Sequence, residues 1–372
     1  MPDIPAKHTT DLTANRPYYP ALDGIRGLAI LLVVFFHNFG FINYTVFGWL
    51  GVDLFFVLSG YLITGILLKS VGHKNYLRNF YARRILRIFP LYYLFLVLAI
   101  FILPQIPSLK DNLQYYVDNQ LWFWTFTQNW LFVLKTPEKT NFLLHFWSLA
   151  VEEQFYLIWP FIILFIRKPK FLFAVMAIIL VSVITSRIIL WNIHIESIHY
   201  FSLYTFTRFD GICIGCMLAL LQYMNADFLK QYTAPILFSL SGLNFLFYFV
   251  NRYHAFTFPY FAMIGYTTFA IMFAILVHEA VKQESKIIYY IFNFLPLRFL
   301  GQISYGLYIF HWPVYLFLFP KFNKFFTENT TLNLFFTHLF SAITATVIGI
   351  LISIVSYYGM ERRILKWKEH FK

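Results

Sequence analysis

The chain has 372 residues, of which 59% are hydrophobic, 22% aromatic and only 12% charged, and its formal net charge is +12. A soluble domain carries about twice that charged fraction. With a mean hydropathy of +0.63, the composition excludes one; the continuous apolar runs also exclude a β-barrel, whose strands alternate. The expected class is an all-α, polytopic integral membrane protein of about ten transmembrane helices.

In chain order the expected spans are 22–40, 48–69, 88–106, 148–167, 171–191, 207–223, 232–250, 258–280, 301–319 and 334–358. With both termini in the cytoplasm, the inner segments hold 20 of the 29 Lys and Arg residues, as the positive-inside rule requires. The basic charge therefore records topology and contact with anionic lipid. Its dispersal over many short loops gives no support to a nucleic-acid partner. Residues 1–21, with Lys7 and Arg16, are expected as a cytoplasmic tail before an uncleaved first span. The membrane-embedded domain then covers 22–360 and a second cytoplasmic tail 361–372.

The first span, LDGIRGLAILLVVFFHNFG, contains Arg26 and His37. Charged or titratable groups in hydrocarbon cost several kcal/mol unless paired or facing a cavity, so they mark function by default. Eleven residues at 100° each return to nearly the same helix face, about 16 Å further along the axis. The pair reads as two stations on one internal track. Asp53 opens the second span near the level of His37. It is read either as a carboxylate orienting the imidazole or as a partner for neighbouring helix ends. Ser59, beside Gly60, fits small-residue packing.

Between spans two and three, YARRILRIFP sets Arg84 and Arg87 on one helical face with Arg83 beside it. Such a fork suits phosphate; membrane anchoring is the plainer alternative, and Arg26 at the same surface shifts the balance to phosphate. The long stretch 105–147 carries LWFWTFTQNW, either an interfacial aromatic belt or a platform for a carbohydrate or headgroup. The fourth span repeats Ser148, Glu152 and Tyr156 on one face, while Glu153 points about 100° away. Both glutamates enter at the side where His37 and Asp53 lie, as general-base chemistry would use them.

Arg208 and Asp210 read as a self-neutralising structural pair, and Cys213-x-x-Cys216 as close helix packing rather than redox or zinc chemistry. His194, Glu196 and His199 lack a metal-ligand spacing, and no metal is expected. His311 precedes Pro313; it is read as bonding a carbonyl freed by that proline, with a substrate-facing role as the alternative.

The strings LDGIRGLAILLVVFFH, GVDLFFVLSGYLIT, FYARRILRIFP, HFWSLAVEEQFYLIWP, RFDGICIGCMLA and GQISYGLYIFHWPV, followed by Glu361-Arg362-Arg363, occur in one order over residues 22 to about 363. Together they resemble the acyltransferase-3 family of integral-membrane O-acyltransferases. The resemblance implies transfer of an acyl group, often acetyl, from cytoplasmic acyl-CoA to a hydroxyl of an extracytoplasmic carbohydrate or glycoconjugate. It makes the Arg-x10-His pair, Arg26 and His37, essential, and gives Arg84 and Arg87 the CoA phosphates. The strings end short of the hydrolase-like C-terminal domain of some members, so no fused second transfer site enters the expectation.

On this reading acetyl-CoA is the expected donor and co-substrate, and the bacterial cytoplasmic membrane the expected location. His37 acts as general base or transient acyl carrier, with Asp53, Glu152 or Glu153 as its catalytic partner. A proton-coupled transporter or flippase is the alternative; it gives no purpose to the Arg84/Arg87 fork. A scaffold protein leaves Arg26 and His37 unexplained.

Overall fold

The computed structural model describes residues 19–137, 141–194, 199–225, 228–253, 260–283 and 285–371. Among them there is no strand, and all ten expected spans are helical where described. We label the principal helices α1 Pro20–Asn38, α2 Leu50–Ser70, α3 Tyr76–Val97, α4 Trp147–Ile166, α5 Pro169–Asn192, α6 Asp210–Tyr223, α7 Phe228–Tyr253, α8 Tyr266–Lys282, α9 Ser304–Asn329 and α10 Leu334–Ser356. Eight helical stretches among the described residues are long and apolar enough to cross a membrane. The other two expected spans are α6, with only 14 residues, and α9, whose 26 residues include polar side chains and two prolines. The protein is an all-α polytopic membrane protein. The N-terminal tail and Glu196 lie outside the described residues, as do the first two residues of the span expected at 258.

Without water to drive apolar surfaces together, membrane helices associate through close van der Waals packing, which small residues permit. Two glycine contacts show this here. Gly24 of α1 packs on the Phe292 backbone and Gly301 of the short helix Leu295–Gln302 on the Asp23 backbone: a Cβ on Gly301 would meet the Asp23 carbonyl oxygen at 1.8 Å, and one on Gly24 the Phe292 oxygen at 2.0 Å. On the other side, Gly60 of α2 and Gly215 of α6 bring those helices together, each hypothetical Cβ 2.1 Å from a carbonyl oxygen opposite. Cys213 and Cys216 are free thiols, fully buried on α6, as close packing requires. Helix α2 is consequently central, with α1, α4, α6 and α8 against it.

Helix α3 begins twelve residues before the span expected at 88, so the helical face carrying Arg84 and Arg87 is continuous with that span. Tyrosines explain the extension. Tyr76 and Tyr81 donate to the carbonyls of Pro160 and Leu157 on α4, at 3.1 and 2.8 Å, which moors the polar half of α3 against that helix.

The aromatic stretch 121–130 turns largely inward. Phe123 is fully buried, Trp124 stacks on Tyr93 at 5.5 Å, and Gln128 and Asn129 are buried. Asn129, Thr205 and Gln154 form a closed hydrogen-bonded set, and Trp130 donates to Thr205 as well. These side chains complete the core around the start of α4 rather than presenting a surface platform.

Candidate functional site

Five helices line a cavity of about 110 Å³. α1 supplies Arg26, α3 supplies Arg84 and Arg87, α4 supplies Ser148, Glu152, Glu153 and Tyr156, and α2 supplies Ser59; Ser304, Tyr305 and Tyr308 close it from α9. The i, i+4 spacing of Ser148, Glu152 and Tyr156 does place all of them on the cavity. Glu153 lines it too, despite its rotation, because the cavity wraps more than one face of α4.

Three arginines from two helices face one small space, a costly arrangement that an anion would relieve. Arg26 is partly compensated by Asp23 at 2.5 Å. Arg84 and Arg87 make no salt bridge among the described residues; the Arg84 guanidinium lies 5.9 Å from the centre of the Tyr156 ring. Glu152 does not compensate them directly, since it accepts from Ser59 at 2.8 Å and from Tyr156 at 3.0 Å. One oxygen of Glu153 is buried without a hydrogen bond.

Beyond the opposite end of the cavity lie the histidines. His37 Nδ1 is 3.0 Å from His311 Nε2. The His145 ring is 6.3 Å from that of His37 and 5.3 Å from that of His311, and the Trp312 ring lies 5.0 Å from His37. The tautomers follow from donor and acceptor rules. His311 Nδ1 faces the carbonyls of Leu307 and Tyr308 at 3.0 and 2.9 Å, and these only accept, so Nδ1 carries the proton. His311 Nε2 is therefore an acceptor, His37 Nδ1 donates to it, and His37 Nε2 keeps its lone pair. The carbonyl left without a partner by Pro313 is that of Ile309, four residues earlier; His311 bonds its neighbours instead.

A short hydrogen-bonded link joins the two regions. Tyr308 donates to the His145 carbonyl at 2.6 Å, which leaves Ser148 Oγ to donate to Tyr308 Oη, also at 2.6 Å.

The expected partners of His37 are not brought to it. Among the described residues its ring bonds His311, not Asp53, Glu152 or Glu153. Asp53 pairs with Arg208 at 2.7 Å, both groups buried. Asp210 pairs with Arg187 at 2.7 Å, again buried, so Arg208 and Asp210, expected as a pair, each have another salt-bridge partner while remaining in electrostatic range of each other. Helix α6 follows Arg208 directly, and its tight seat on α2 directs Arg208 at Asp53. Thr267 donates to Asp210, and Tyr266 lies under Arg208 at 3.7 Å. These four charges bind α2, α5 and the start of α6 together.

Sequence reasoning missed His145 and Tyr308, although both lie within strings it had singled out; nothing local marks either as adjacent to His37. Of the metal alternative, Glu196 lies outside the described residues, His194 is exposed, and burial lowers the His199 imidazole from its ordinary value.

Comparison with known proteins bears on this geometry. Residues 19–357 match the profile of a family described as an acyltransferase domain. The chain is 33% identical over 326 residues to the peptidoglycan O-acetyltransferase OatA of Listeria monocytogenes, covering 81% of this chain and 50% of that protein. It is 32% identical to the putative peptidoglycan O-acetyltransferase YrhL of Bacillus subtilis, covering 81% and 49%. It is 30% identical to the O-acetyltransferase OatA of Staphylococcus aureus, covering 81% and 51%. The chain thus spans about half the length of these curated relatives. No solved structure matches it.

Proposed function

The chain belongs to the acyltransferase family, and from that premise we propose that it is a membrane O-acyltransferase that moves an acetyl group from acetyl-CoA to a hydroxyl of a cell-wall carbohydrate. Its setting is the bacterial cytoplasmic membrane, with the arginine end inside and the histidine end outside. The relatives named for peptidoglycan O-acetylation support the acceptor class. The observation that carries the reading is the cavity with Arg84 and Arg87, which make no salt bridge among the described residues, at one end and an imidazole of fixed tautomer beyond the other.

CoA matches that layout, being a polyanion joined to a long thin arm that ends in a thioester. Arg26, Arg84 and Arg87 hold phosphates, and the arm runs along the Arg26–His37 face of α1. His37 Nε2 takes the proton of the acceptor hydroxyl as its oxygen attacks the thioester carbonyl. The C–S bond breaks as the tetrahedral centre collapses, and the imidazolium returns its proton to the departing thiolate. Ester and free CoA thiol are the products. An acyl-histidine route would use the same nitrogen as nucleophile.

The test is CoA release by purified protein in liposomes, with and without carbohydrate acceptor. His37→Ala abolishes transfer with folding intact, and Arg84→Ala raises KM for acetyl-CoA. A folded wild-type protein that neither binds nor turns over any acyl-CoA removes the proposal and moves the assignment to transport.

A further inference from the structure

Apart from the arginines, the polar side chains lining the cavity are bonded to the protein itself, with one exception. Ser59 and Tyr156 both donate to Glu152, at 2.8 and 3.0 Å, and Ser148 and Tyr308 close on each other at 2.6 Å. Tyr305 donates to the Ile88 carbonyl at 2.7 Å, and Ser304 to that of Gly301 at 2.8 Å. The exception is Glu153. It lines the same cavity, yet its Oε1 is buried and has no hydrogen-bond partner among the described residues. Arg84 lies in electrostatic range of it, but the two make no salt bridge among the described residues. Attraction through space offsets part of the cost of the charge and leaves the directional demand of the oxygen unmet.

A buried acceptor of this kind calls for a donor from outside the chain, and the donor must reach it through the cavity. On the acyl-CoA reading above, on which this inference rests, the pantetheine arm occupies that space between the arginine end and His37. The arm carries two secondary amides, each with one N–H. The arginines cannot receive those protons, since a guanidinium has no acceptor. A carboxyl oxygen can, whether or not the second oxygen of the group is protonated. We propose that Glu153 is a specificity-determining residue that accepts an amide N–H of the pantetheine arm. The arginines read phosphate, which many nucleotides share. Glu153 adds a requirement that only a ligand with an amide-bearing arm meets.

The experiment measures binding of CoA and of two analogues to full-length protein in liposomes, for wild type, Glu153→Gln and Glu153→Leu. Each analogue has one pantetheine amide replaced by an ester, which keeps the carbonyl and loses the N–H. Wild type is expected to bind one of them about tenfold more weakly than CoA, the scale of one hydrogen bond to a charged group. Glu153→Gln keeps a side-chain carbonyl at that position and retains most of the preference, whereas Glu153→Leu brings the ratio to about one. The ratio is the readout because removing a carboxyl near the arginines changes the affinity for all three ligands alike. Equal binding of CoA and both analogues by wild type overturns the proposal, and so does a preference that survives in Glu153→Leu. The first of these outcomes needs no variant, so the test stands even where Glu153→Leu fails to fold. Wild type binding none of the three refutes the acyl-CoA reading itself, a distinguishable failure.

Discussion

Replacing His311 tests the tautomer chain directly. In the resting protein His37 Nδ1–H donates to a neutral nitrogen 3.0 Å away, an ordinary bond worth about 1 kcal/mol. When His37 Nε2 accepts the hydroxyl proton, the ring becomes cationic and the same contact becomes charge-assisted, worth about 1.5–3 kcal/mol. The gain appears only as charge develops, so it lowers the barrier rather than tightening ground-state binding. The difference, about 0.5–2 kcal/mol, means that His311→Ala is expected to cut kcat by about 2- to 30-fold and to leave KM for acetyl-CoA near the wild-type value, since the arginine end is untouched. His311→Gln offers an amide oxygen to Nδ1–H and recovers part of the loss. The assay is initial-rate CoA release at saturating acceptor, on protein whose folding is checked by thermal melting. A wild-type kcat in folded His311→Ala, or a loss confined to KM, refutes the argument.

Two further substitutions separate structure from chemistry. Asp53→Asn leaves Arg208 buried beside a neutral amide, and breaking a buried pair costs about 3–5 kcal/mol. A marked fall in melting temperature is expected, with part of it restored in Asp53→Asn/Arg208→Gln; an unchanged melting temperature with lost activity would instead return Asp53 to the catalytic machinery. Gly301→Ala forces a Cβ to within 1.8 Å of the Asp23 carbonyl oxygen, so α1 must move off its neighbour. It should reduce the yield of folded protein in detergent, and normal yield and melting would show that this contact yields easily.

What the sequence made legible was periodic or local. Runs of apolar residues located all ten helices, and the 3.6-residue repeat put Ser148, Glu152 and Tyr156 on one wall. The Arg84/Arg87 fork needed only its i, i+3 spacing. Pairings between distant segments were not legible. His37 meets a residue 274 positions away, and Asp53 one 155 positions away. Both contacts depend on how helices rotate about their axes, which glycine seats such as Gly60 on Gly215 decide. Proximity in depth suggested Asp53 for His37, but depth does not specify azimuth. The continuity of α3 was missed for a related reason: hydropathy ends a span at its arginines, whereas tyrosine hydroxyls bonded to α4 carbonyls moor that stretch as part of the same helix.

The link formed by Ser148, Tyr308 and the His145 carbonyl also bears on membrane energetics. Chemistry that joins a reactant from one aqueous phase to a reactant in another needs a route through the bilayer, and any standing water column along it would leak protons and dissipate the transmembrane voltage. Here Ser148 and Tyr308, which line the cavity, are joined to each other and to the His145 carbonyl by hydrogen bonds of 2.6 Å each, so no water stands between those groups. Those bonds pin the side chains at that point, so a column of water there would have to break them first.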